Sequence, residues 1–166
     1  MQFSAGQRKL AISALDEAEE HTSRYYCIPP HRWQHLRYDL LTRQDTEWEP
    51  LPEAALARVQ RLAMVGTRGK EPFDFYRIQL NDPSILIAAE RENFGDVFYP
   101  FLVYILTHEM VHLVRLSTIL GHEHESPICF DSEETRVQRV SRQILSYKGH
   151  QTFQPILDRF CLPLAS

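Results

Sequence analysis

Between Ala5 and about Tyr25 the apolar residues Leu10, Ile12, Leu15 and Ala18 recur at near-helical spacing among many charged ones, which predicts an amphipathic helix lying over the core. Pro29-Pro30 ends it. From Trp33 to Trp48, Leu36, Tyr38 and Leu40 alternate with Arg37 and Asp39 at the period of a short half-buried strand, until Leu41 breaks the alternation. Leu51-Pro52-Glu53 then reads as the first turn of a second helix. Ala54, Leu56, Val59 and Leu62 follow at helical spacing to about Val65, and Gly66 and Gly69 close the element. Phe73 to Leu80 is rich in aromatic and β-branched residues, Asn81 to Ser84 is turn chemistry, and Ile85 to Ala89 is a second apolar run. That pattern predicts a hairpin, with a helix as the alternative for the second run.

Behind Gly95-Asp96 comes a long apolar helix from about Val97 to Ile119, in which Pro100 is tolerated near the first turn. Leu120 to Phe130, with Gly121 and Pro127, reads as a loop of the length that often borders a functional site. Asp131 or Ser132 caps the next helix, whose apolar stripe is Val137, Val140, Ile144 and Tyr147. Gly149 ends it in this reading, and Phe153 to Leu162 adds a short closing helix. The element order predicts an α+β fold, with helices packed on a small sheet. At 166 residues, the chain is sized for a single domain spanning 1–166.

Composition narrows the classes. Hydrophobic residues at 43% and charged residues at 24% fit an independently folding globular protein rather than a disordered one. A net charge of -4 provides no electrostatic footprint for a phosphate backbone, so no nucleic-acid partner is expected. Met1-Gln2-Phe3-Ser4 lacks the basic start and apolar stretch of a secretory signal, and no run of about 18 apolar residues stands out. The expectation is a cytoplasmic protein with no membrane partner. Cys27, Cys129 and Cys161 are odd in number and widely spaced, which suits three reduced thiols.

The chemistry concentrates in His108-Glu109-Met110-Val111-His112, inside the long apolar helix. Histidines four residues apart lie one turn above each other on one helical face, so their ring nitrogens can converge on one ion. Glu109 projects about 100° around the axis and can reach a metal-bound water instead of the metal. Zinc held by three protein ligands keeps its fourth position for water, lowers that water's pKa toward about 7 and polarises a carbonyl under attack. Glu109 is placed to take the proton and pass it to a leaving amine. A third ligand has to come from elsewhere: Glu133 or Glu134 on the following helix, or His122 or His124 in the loop.

These residues, with Glu134-Thr135-Arg136-Val137, resemble zinc metallopeptidases of the zincin class, specifically the gluzincin type. In that type the HExxH helix is followed by a helix carrying a glutamate ligand. The resemblance covers roughly residues 97 to 147. It implies a zincin-like fold with the metal between the two helices, Zn2+ as cofactor, and a peptide or protein substrate hydrolysed at a peptide or amide bond. It also implies His108, His112 and Glu134 as ligands and Glu109 as the catalytic base. Periodicity alone points instead to Glu133, which sits on the centre of the apolar stripe, whereas Glu134 sits at its solvent edge. The metzincin type is not matched, because Arg115 and Thr118 stand where a glycine and a third histidine are required. Arg115, three residues beyond His112, reads as a surface arginine or as a partner for a ligand or substrate carboxylate. Two alternatives stay open: a zinc-binding regulatory or interaction module without catalysis, and a metal-free interaction domain using Trp33, Trp48 and Tyr76 as exposed aromatics.

Overall fold

Ser4 starts the first helix by a reciprocal cap. Its hydroxyl accepts from the Gln7 backbone N–H, while the Gln7 side chain accepts from the Ser4 N–H. The computed structural model describes residues 1–34, 36–63, 74–117 and 132–161, and helix α1 spans Ala5–Tyr25, as the periodicity predicts. Its buried face differs from the expected one. Ala11, Ala14, Ala18 and Thr22 are wholly buried, whereas Leu10 and Ile12 are 40% and 52% exposed. Small side chains at this spacing let α1 lie close against the later apolar helix, so fit rather than hydrophobicity selects the inner face.

A single-turn helix α2 (Pro30–Trp33) leads to strand β1 (Arg37–Leu41). The helix expected over residues 51 to 65 is instead strand β2 (Ala57–Ala63), antiparallel to β3 (Asp74–Leu80), which also pairs in parallel with β1. The sheet order is β1-β3-β2. Leu56, Val59 and Leu62 satisfy a helical count, but they precede a strong strand former that Ala57 to Ala63 pairs with in register. That long-range pairing overrides local spacing. One sheet face is apolar: Tyr76, Ile78 and Leu80 are buried, with Val59 opposite Ile78 and Ala57 opposite Leu80. The other is polar, carrying a bidentate pair from Arg77 to Asp39 at 3.1 and 3.0 Å across the β1–β3 ladder.

After β3 the chain does not turn back as a hairpin. Pro83 in the first turn favours helix α3 (Asp82–Arg91), which buries Ile85, Ala88 and Ala89. A 3-10 turn, Gly95–Val97, opens into α4 (Phe98–Leu116), of which every residue from Phe101 to Thr107 is buried. By length and apolarity Gly95–Leu116 reaches the threshold of a membrane span, contrary to the reading that no such run stands out. With 67% of that window buried inside the fold, it serves as the central core helix. Tyr76 is buried, and Trp33 packs against the core, which removes two of the three expected exposed aromatics.

Ser132 caps α5 (Glu133–Phe160) by accepting from Thr135 N–H. This is one helix rather than two: it continues through Gly149 and across Pro155. Buried Phe153, Ile156 and Leu157 reward continuation, offsetting the roughly 1 kcal/mol glycine penalty and the hydrogen bond that proline forgoes. Tyr147, assigned to the apolar stripe, is 89% exposed instead. Among the described residues the fold is α+β, helices packed on a three-stranded mixed sheet. The expected loop from Leu120 to Phe130, with His122, His124 and Cys129, lies outside the described residues.

Candidate metal centre

Two helices bring the site together. On α4, His108 and His112 stack one turn apart, their ring centroids 4.9 Å apart at 72°. On α5, the cap at Ser132 sets the first helical turn so that Glu134 faces them. Its Oε1 lies 3.0 Å from His108 Nε2 and its Oε2 lies 3.1 Å from His112 Nε2. The three donor atoms fall within 4.8 Å of one another. The imidazoles are mostly buried and the carboxylate is about half exposed, so the group is open on one side.

The neighbouring glutamate goes elsewhere. Glu133 accepts a two-point bond from Arg115, Nε to Oε1 at 2.6 Å and Nη2 to Oε2 at 3.0 Å. Thus the two candidate carboxylates are sorted by partner, Glu134 to the imidazoles and Glu133 to the guanidinium. The stripe-centre argument for Glu133 is not met, because Glu133 is exposed and engaged in an ion pair with Arg115 of α4.

The protonation balance follows from this packing. Hydrogen bonds from His108 and His112 hold the Glu134 carboxyl well below the usual carboxylate range, outweighing its partial burial. Burial pulls the His112 imidazole down, but the Glu134 hydrogen bond and the charges of Glu109, Glu134 and Glu133 outweigh it and leave it raised. Glu109 is 7% exposed, and burial pushes its carboxyl up against the opposing pull of His108 and His112.

That cavity, about 500 Å³, runs along His108, Glu109, His112 and Glu134 and is walled by residues 54–59, Ile105, Leu116 and Phe160. The strand side of the wall is β2 and the turn before it, whose residues were expected in a helix. Tyr104 and Gln138 also line the cavity and were not foreseen. Tyr104 lies one turn before His108, with ring centroids 6.3 Å apart, and its hydroxyl donates to the Phe160 carbonyl at 3.4 Å. Counting back one further turn from the motif would have found it. Burial and the neighbouring Cys161 thiol raise its phenol pKa.

The donor set fits a divalent cation. Two imidazole nitrogens and one carboxylate are ligands that zinc accepts, and one donor atom from each residue lies within 4.8 Å of the others. Other first-row metals accept the same atoms, so chemistry alone does not name the ion. Without a cation, protonated Nε2 atoms satisfy Glu134 by the same contacts. His108 Nδ1 is buried with no hydrogen-bond partner among the described residues, so its ring is held by packing and by Nε2 rather than from behind. Comparison with protein-family models, with curated proteins and with solved structures finds no match to this chain.

Proposed function

We propose that the chain is a zinc-dependent hydrolase of peptide or amide bonds, of the zincin type, with His108, His112 and Glu134 as ligands and Glu109 as the base. The observation that carries this reading is the convergence of three donor atoms within 4.8 Å beside a buried carboxyl, all facing one cavity. A bound zinc ion supplies Lewis acidity and a water made acidic near neutral pH.

The chain's own residues supply the rest. Glu109 projects from the same helix as the imidazoles and takes a proton from the attacking water, then returns it to the departing amine. Burial raises its pKa, against the pull of His108 and His112. Glu134 and the two imidazoles keep one face free for a substrate carbonyl. The aliphatic wall of Leu56, Val59, Ile105 and Leu116 with Phe160 suits a peptide with an apolar side chain beside the scissile bond. Among the described residues strand β2 ends the sheet order, and it borders the same cavity, which offers an extended peptide a backbone to pair with.

The test is Glu109→Gln. Zinc-loaded wild type is expected to cleave members of a peptide library, while the variant retains its zinc and cleaves roughly 100-fold to 10,000-fold more slowly. Equal turnover by both proteins refutes the assigned base.

A further inference from the structure

Arg115 and Glu133 are joined by two parallel charge-assisted bonds, 2.6 and 3.0 Å long, that tie the last turn of α4 to the first turn of α5. Arg115 lies three residues beyond His112 and Glu133 immediately precedes Glu134, so the fork spans the same two helices as the three donor atoms and sits next to them on both. Ser132 adds a second constraint. Its hydroxyl accepts from Thr135 N–H and meets Thr135 Oγ1 at 2.8 Å, which fixes the same helical turn from its start.

We propose that the Arg115–Glu133 pair is a positioning device that holds Glu134 in register with His108 and His112 for metal binding. The inference rests on the metal-centre reading above and adds to it the residues that set the geometry. A planar guanidinium locks a carboxylate in distance and in rotation, which a point charge does not. Rotating the first turn of α5 by one residue, about 100°, would present Glu133 or Thr135 to the imidazoles instead. The fork opposes that rotation, and it also occupies the carboxylate next to Glu134 on α5, which could otherwise compete for the cation. Outer groups of this kind affect metal affinity by roughly 10-fold to 100-fold in other centres.

A purely electrostatic role and a positioning role predict different outcomes for a variant of unchanged net charge, which makes the inference testable. Removing the positive charge of Arg115 from the neighbourhood of a dication favours the cation if charge is all that matters, whereas loss of positioning disfavours it. The double variant Arg115→Ala with Glu133→Gln removes the fork while leaving the local net charge unchanged. Zinc affinity is measured by competition with a chromophoric chelator, on wild type, on the double variant and on Arg115→Lys, with thermal melting of the metal-free proteins alongside. The inference predicts about a tenfold or greater loss of zinc affinity in the double variant, and a smaller loss in Arg115→Lys, which keeps the charge without the fork. Zinc affinity within twofold of wild type in the double variant overturns it. If the double variant melts before assay, Arg115→Lys decides, with unchanged affinity overturning the inference. Failure of wild type to bind zinc overturns the metal reading itself and this inference with it.

Discussion

Glu134 Oε1 lies 3.0 Å from His108 Nε2, a contact across 26 positions of sequence that joins the first turn of one helix to the middle of another. With Oε2 on His112 at 3.1 Å, one side chain closes a site whose other donors are both on α4. Glu134→Gln preserves shape and removes the charge that a cation requires. Zinc affinity is expected to fall by more than the roughly 100-fold seen for outer-shell partners. Isothermal titration with zinc checks this, and an unchanged affinity removes Glu134 from the ligand set.

Leu116 continues the stripe of His108 and His112 by one more turn, lines the cavity and is 53% exposed. Being exposed, it can be replaced without opening the core. Leu116→Lys is expected to leave zinc content unchanged while lowering kcat/KM for peptides with aliphatic side chains by about 10-fold, mainly through KM. A panel of peptides differing at one position reads this directly.

Asp82 connects three segments: it accepts from Phe3 N–H at 2.9 Å and from Arg43 N–H at 3.2 Å while starting α3. Asp82→Asn turns an amide N–H2 toward one of those donors, and a loss of about 1–3 kcal/mol in stability is expected. Burial raises the Asp82 pKa above 3.8, against the backbone hydrogen bonds that lower it. A carboxyl raised in the folded state favours folding most below the unfolded value and loses that contribution as pH rises through the folded value. The deficit of Asp82→Asn is therefore larger near pH 4 than at neutrality in urea unfolding. A deficit that grows with pH contradicts this assignment.

The inner face of α1 makes the opposite prediction from its hydrophobicity. Ala14 is wholly buried and Ile12 is 52% exposed. Ala14→Leu is expected to destabilise by about 1–3 kcal/mol through overpacking, whereas Ile12→Ala changes stability by about 0.5 kcal/mol or less. Thermal melting of the two variants side by side separates them.

These contrasts show where local pattern is a sufficient guide. The His108–His112 pair is legible because both residues share one helix, and four-residue spacing determines their relation without reference to the rest of the chain. α1 is legible in extent, from its periodicity and its Pro29-Pro30 stop, but not in orientation, since the choice of Ala14 over Ile12 depends on how closely α4 approaches. β2 was hidden because Pro52 and the spacing of Ala54, Leu56, Val59 and Leu62 imitate a helix, while its pairing with Tyr76 and Ile78 is non-local. Gly149 and Pro155 are local stop signals overruled by the burial of Phe153, Ile156 and Leu157. The choice between Glu133 and Glu134 depended on Arg115, whose position across the helix pair no periodicity reveals.

The central claim is that these side chains hold one ion, and metal stoichiometry addresses it most directly. Purified without chelators and analysed by elemental mass spectrometry, the wild-type chain is expected to carry one zinc per molecule, and His108→Ala with His112→Ala to carry none. Wild-type protein that stays metal-free after equilibration with excess zinc, or a double variant that retains a full equivalent, contradicts the account.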